Sequence, residues 1–196
     1  MLGDLWSFQG RYRTLHLTWI AFFLTFVVWF NLAPLATTVK ADLGLTVGQI
    51  RTVAICNVAL TIPARVLIGM LLDKFGPRIT YSSILVFSAI PCLLFASAQD
   101  FNQLVVARLL LSIVGAGFVI GIRMVAEGFP PKEIGLAEGI YGGWGNFGSA
   151  FSALTMVALA GFLSFSGGFE LPTGAVLNWR GAIALTGIVS AAYGFF

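Results

Sequence analysis

The chain is short of charge. Only 10% of its 196 residues are Asp, Glu, Lys or Arg, against about 25% in soluble domains, and that excludes an ordinary water-soluble globule. The formal net charge of +3 is small and the basic residues are scattered, so there is no patch to hold nucleic acid. Histidine occurs once, at His16, and cysteine twice, at Cys56 and Cys92, each inside an apolar run and without CxxC spacing. So few ligands offer no metal-binding spacing, and no nucleophile–base grouping appears. An enzyme, a resident metal and a cofactor are therefore not expected. The cysteines read as small buried hydrophobes and say nothing about redox compartment. A cleavable signal peptide is missing too. The first apolar run begins near Leu15, is too long for such a segment and has no small-residue cleavage site soon after it.

What fills the sequence is apolar. Hydrophobic residues make up 58% of it, with 18 Phe and 23 Gly. Glycine inside apolar runs suits membrane helices, where small residues let backbones approach. The pattern predicts an all-α protein of the lipid bilayer with six transmembrane helices, at about 20 residues each. They are expected near residues 15–39, 50–72, 79–98, 101–126, 134–165 and 179–196, after a polar cytoplasmic N-terminus over 1–14. Asn31 and Pro34 interrupt the first, and Ser166–Asn178 reads as a Gly/Pro loop. With the N-terminus inside, Arg11, Arg13, Lys74, Arg78, Arg123 and Lys132 share the inner side, while Lys40, Arg51 and Arg180 lie outside with Arg108 close by. This Lys/Arg bias favours a cytoplasmic N-terminus. The chain stops at Phe196 inside an apolar run, which reads as a C-terminal truncation.

Arg65 stands out within Thr61–Arg78, TIPARVLIGMLLDKFGPR. A cation in a spanning helix costs roughly 2.5–3.5 kcal/mol, so such residues face a bundle interior or a wet cavity. Arg65 is the first candidate ligand-binding residue. The blander alternative is that it snorkels to an interface or pairs with a carboxylate. Against that, no carboxylate shares its expected helix, and apolar residues separate it from Asp73.

The turn that follows, Gly69-x-x-x-Asp73-x-x-Gly76-x-Arg78, has a physical sense. Gly69 permits close helix crossing, Asp73 is placed to cap a neighbouring helix, and Gly76 allows a tight reversal. The spacing resembles the loop between the second and third helices of the major facilitator superfamily. Arg108 with Gly115 and Gly117 also resembles that superfamily's pattern on its fourth helix. The resemblance implies the N-terminal half of a major facilitator fold, built as a 3+3 inverted repeat. A faint echo between Gly69–Gly76 and Gly161–Gly168, each a Gly-x-Leu opening with a glycine seven residues on, fits such a repeat.

Farther on, Gly135, Gly139 and Gly143 recur every four residues, one stripe on a helix. The stripe alone reads as a helix-packing surface. Asn146 adds a buried amide that needs a partner, beside glycines where a ligand could approach the backbone. Gly143-Trp144-Gly145-Asn146-Phe147-Gly148 resembles the signature of the nitrate/nitrite porters within the superfamily, Ala-Gly-Trp/Leu-Gly-Asn-Met-Gly, with Gly142 in place of Ala and Phe147 in place of Met. The resemblance implies that Arg65 is the substrate arginine of helix two. It also matches Phe26-Val-Val-Trp29 to a Phe-x-Val-Trp segment of the first helix whose Phe packs against the anion. Phe26 alternatively reads as a core or lipid-facing ring.

Nitrate is planar and singly charged, and a guanidinium is planar, permanently charged and able to bond two oxygens at once. The expected site is thus Arg65 as anchor, Asn146 as donor, Gly143 and Gly145 for close backbone approach and Phe26 as an apolar wall. Gly69, Asp73, Gly76, Arg78 and Arg108 are structural. Transport would run by alternating access at an inner or plasma membrane, together with a missing C-terminal half of the same carrier. His16, Glu127 and Glu138 are titratable but read as interface groups, and no proton carrier is assigned. Two alternatives remain open: a carrier of this fold for another small anion or metabolite, and a non-transporting helix bundle.

Overall fold

The computed structural model describes residues 7–196; the first six residues of the expected N-terminal segment lie outside the described residues. Helix α1 spans Gly10–Phe30 and continues through a 3-10 turn, Ala33–Leu35, into α2, Ala36–Asp42. α3 is Val47–Ala59 and α4 Thr61–Ser97. α5, Phe101–Ser112, leads through Ile113–Ala116 into α6, Gly117–Gly128. α7 is Pro131–Phe162 and α8 Trp179–Gly194. Local signals explain the starts. Thr46 and Gln49 form a reciprocal capping box at α3. Asp100 accepts from the Gln103 amide at 2.9 Å and Asn178 from the Gly181 amide at 2.8 Å. Pro131 opens α7, where its missing N–H costs nothing.

Among the described residues, four continuous stretches are long and apolar enough to cross a membrane: Gly10–Asp42, Val47–Ser97, Phe101–Gly128 and Pro131–Ser166. The expected second and third spans run together in the second stretch, and the expected sixth, α8, has 16 residues and stops at Gly194. The join between spans two and three is not an open loop. It narrows to Gly76, whose φ of 77° and ψ of 167° break α4. A side chain resists this left-handed region, and Pro77, fixed in φ and lacking an N–H, suits the start of the next helical arm.

Contacts show that the chain reverses there. In the first arm, residues 61–75, Thr61 bonds the Ser112 carbonyl at 3.1 Å and Asp73 pairs with Arg123, so this arm runs parallel to α5–α6. In the second arm, residues 77–97, Tyr81 lies against Gly117 while the Phe95 ring lies under Arg108, so this arm runs antiparallel to the same helices. α8 returns along the second arm. Gly194 meets Leu85, Ser190 bonds Ser88 at 2.9 Å, and Arg180 donates to the carbonyls of Ala96 and Ala98 at 2.8 and 2.6 Å. α1 and α7 run parallel: Arg11 pairs with Glu133 at 2.8 Å, the Trp19 and Trp144 rings lie 5.5 Å apart, and Phe23 meets Phe151 at 5.2 Å.

The core lies between α1, the second arm of α4, α5–α6 and α8, around Phe22, Val28, Leu85, Phe95, Leu104, Leu111, Ile120 and Ile183. The first arm of α4 and most of α7 are left open, with Ile62 77% and Leu154 76% exposed. The all-α expectation takes one small correction. The Gly/Pro loop carries a two-stranded antiparallel hairpin, β1 (Phe169–Glu170) with β2 (Val176–Leu177). Its turn closes through Gly174, whose amide bonds the Leu171 carbonyl.

Candidate functional site

Arg65 lies on the exposed face of α4's first arm, among exposed Ile62, Val66, Leu67 and Met70. Among the described residues it has no hydrogen-bond or ion-pair partner. Asp73, on the same continuous helix, does not reach it. Asp73 instead joins Arg123, which also binds Glu127 at 2.7 Å, four residues on. That corrects the expected capping role of Asp73: its charge is held by a guanidinium on α6, not by a helix N-terminus. Glu127 likewise serves as an ion-pair partner at the helix end. Gly69 also differs from expectation, since nothing lies within 4 Å of where its Cβ would be. Gly161 touches Leu177 at 3.7 Å, so the two glycines of the sequence echo sit in unlike surroundings.

The glycine signature of α7 divides between two faces. Gly145 is buried, and an added Cβ would lie 1.7 Å from Cδ1 of Phe22; at Gly148 it would lie 2.3 Å from the Phe23 carbonyl oxygen. These two glycines bring α7 onto α1, and Gly145 is closed to a ligand by that ring. The stripe read as a packing surface, Gly135, Gly139 and Gly143, is the open one: at these three, and at Gly142 beside them, nothing among the described residues lies within 4 Å of an added Cβ. Asn146 is exposed on this open side. Its side-chain amide nitrogen donates to the Gly142 carbonyl at 2.7 Å, and its backbone carbonyl accepts from the Ser149 hydroxyl at 2.8 Å. The buried, partner-seeking amide expected from sequence is thus an exposed one bonded within its own helix. Phe26 is half-buried, edge-on to Phe22 at 4.4 Å and 5.4 Å from Trp29, with its Cβ beside Gly148. Phe26 and the glycine signature are therefore brought together, whereas no hydrogen bond joins Arg65 to Asn146.

Arg108 is the opposite of Arg65. It is fully buried and its guanidinium sits 4.4 Å above the Phe95 ring. It donates to the side-chain oxygens of Asn31 at 2.8 Å and Asn57 at 3.1 Å, and its Nε has no partner. Asn31 passes the network to Thr186 at 2.9 Å, and Asn57 exchanges two bonds with Trp29, one to each backbone carbonyl, at 2.9 and 2.7 Å. No carboxylate takes part among the described residues. A buried charge has to be hydrogen-bonded to be tolerated, and here two neutral amides and a ring do it. Sequence reasoning left Arg108 near the outer surface and missed Asn57 and Phe95. The available signal was the pair of asparagines, Asn31 and Asn57, inside apolar runs.

The ion pairs among the described residues sort into two ends. Arg11–Glu133 and the Asp73–Arg123–Glu127 group lie at one; Asp42, which accepts from Trp179 at 2.8 Å and pairs with Arg180 at 3.5 Å, lies at the other.

A family model, the Major Facilitator Superfamily, matches residues 18–196. The nitrate/nitrite transporter NrtP of Picosynechococcus sp. is 62% identical over 99% of this chain and 39% of its own length. NrtP of Nostoc punctiforme is 61% identical over 99% and 38%. The high affinity nitrate transporter 2.7 of Arabidopsis thaliana is 33% identical over 74% and 29%. The chain thus spans about two fifths of the length of the first two of these relatives. Among solved structures, a bacterial homologue of the human lysosomal transporter Spinster, inward-facing and occupied, matches with a TM-score of 0.71 at 19% identity, over 94% of this chain and 43% of that one; the likeness is one of fold. With a buried helical core, long apolar helices and a model match over nearly its whole length, the chain belongs to the Major Facilitator Superfamily.

Proposed function

We propose that the chain is the N-terminal half of a nitrate/nitrite carrier and that Arg65 is its anion anchor. Two of the relatives named above are nitrate/nitrite transporters at 61–62% identity. The observation that carries the reading is the state of Arg65: exposed on this chain, unpaired, and flanked by apolar residues in a long helix. A guanidinium in contact with acyl chains would be costly. The face that carries it is instead read as turned to the second half and to a water-filled path between the halves. The open stripe of α7, with Gly143 and Asn146, is read as facing the same path, and Phe26 as the ring behind it. Gly145 acts through packing, holding α7 on α1.

In this reading the chain crosses the bilayer six times. The reversal at Gly76 divides α4 into two crossings, and α8, though short, runs antiparallel to α1, with Tyr193 bonded to the Leu17 carbonyl and Asn31 to Thr186. The three-plus-three arrangement, a cytoplasmic end bearing Arg11, Arg78 and Arg123, and an inner or plasma membrane belong to the same proposal. Nitrate would sit near the midplane, held by Arg65 through two oxygens, and rocking of the halves would expose it alternately.

Nitrate uptake by the intact carrier tests this. Arg65→Lys keeps the charge but loses the fork geometry, and uptake should fall at least about tenfold, the equivalent of ~1.4 kcal/mol. Wild-type uptake in that variant would remove Arg65 from the site.

A further inference from the structure

A cavity of about 470 Å³ opens between α1, the second arm of α4, α6 and α8, at the end of the bundle where α1 begins. Arg13 and Arg78 line it. Both are exposed, and neither guanidinium has a hydrogen-bond or ion-pair partner among the described residues. The other arginines at this end are engaged: Arg11 with Glu133, and Arg123 with Asp73 and Glu127. No Asp or Glu is among the residues that line the cavity, and Leu17, Ala21, Leu85 and Phe196 give it an apolar wall.

Two uncompensated guanidiniums beside hydrocarbon match one kind of ligand, an anion that carries its own apolar part. A phosphodiester accepts from guanidinium in a bidentate geometry, and basic pockets between membrane helices hold anionic head groups. We propose that this cavity binds the head group of an anionic phospholipid, with its phosphate between Arg13 and Arg78 and its glycerol and first acyl carbons on the Leu17–Leu85 wall. A free phosphate shares the charge chemistry and has no use for that wall. The cavity shares no residue with the proposed nitrate site, so the inference stands apart from that reading.

The test uses the intact carrier, equilibrated with vesicles of equal parts phosphatidylglycerol and phosphatidylcholine, its retained lipid then weighed by native mass spectrometry. Wild type should retain phosphatidylglycerol preferentially. R13Q/R78Q should weaken that preference about 30-fold, two charges' worth at a membrane surface, and R13K/R78K should keep most of it. Arg65→Lys should leave it unchanged, which separates this site from the transport site. An unchanged preference in R13Q/R78Q overturns the proposal, as does its loss in a folded R13K/R78K. Saturation of the site by millimolar inorganic phosphate, with no preference between the two lipids, also overturns it, because the source would then be a soluble anion.

Discussion

Arg65 and Arg108 bring the same guanidinium into apolar helices, and their surroundings are opposite. Arg108 is fully buried and wrapped by Asn31, Asn57 and the Phe95 ring. Arg65 is exposed and bonded to nothing among the described residues. A guanidinium that is fully buried, with both terminal nitrogens given to Asn31 and Asn57, is closed to a ligand even though its Nε is unpaired. It ties α1, α3, the second arm of α4, α5 and, through Thr186, α8 into one unit. A charge that the fold leaves unpartnered in an apolar helix is the one with capacity to spare. Sequence position alone cannot tell them apart, since each is an arginine among Leu, Val and Ala.

The sharpest way to break the comparison is to truncate both. Arg108→Ala leaves the buried Asn31 and the half-buried Asn57 amide oxygens without their guanidinium donor and opens a void, so it should cost about 3 kcal/mol or more. The expected outcome is loss of folded protein, read by thermal denaturation in detergent. Arg65→Ala should keep the wild-type melting temperature and abolish nitrate uptake. If Arg65→Ala unfolds the protein while Arg108→Ala does not, the two roles have been exchanged.

The two faces of α7 offer the same contrast at smaller scale. At Gly145 an added Cβ would lie 1.7 Å from the Phe22 ring, whereas at Gly143 it meets nothing within 4 Å. Overpacking of this kind costs typically 1–3 kcal/mol. Gly145→Ala should therefore lower the melting temperature, and Gly143→Ala should leave it alone while reducing uptake if that face lines the anion path. Equal thermal effects would show that the open face is already packed in the intact protein.

The smallest expected effect is at the helix end. Asp73 and Arg123 form an exposed ion pair, with side chains 75% and 40% exposed, and such pairs contribute about 0.2–1 kcal/mol. Asp73→Asn should shift stability by no more than that in low salt and less in high salt. A larger loss would mean that the pair is buried when the carrier is whole.

Much of this was legible in the sequence. Sparse charge and long apolar runs identify a membrane helix bundle, because bilayer thickness fixes the length of an apolar run. The Gly69–Arg78 spacing pointed to the superfamily that the comparisons show, and the Gly143–Gly148 signature to the nitrate/nitrite transporters that the chain is similar to. The reversal was legible at Gly76, as glycine before proline is a local instruction with a local outcome. Less legible were roles that depend on what a side chain meets. Asp73 read as a helix cap because no sequence rule brings Arg123 beside it. Gly135, Gly139 and Gly143 read as a packing stripe because a four-residue period fixes which residues share a face, and not which face finds a neighbour.

By itself, then, the sequence determined that this chain is a set of apolar helices, where they break, and that Arg65, Arg108 and Asn146 are polar groups set in apolar runs. Backbone geometry and transfer free energy act locally, so composition and spacing carry that information. Only the tertiary structure decided that Arg108 is a buried hub, that Gly145 and Gly148 hold α7 on α1, and that the Arg65 guanidinium finds no partner among the described residues. Those outcomes depend on contacts between residues up to 155 positions apart, as with Asn31 and Thr186, and the hydrogen bonds that settle each charge are made across helices.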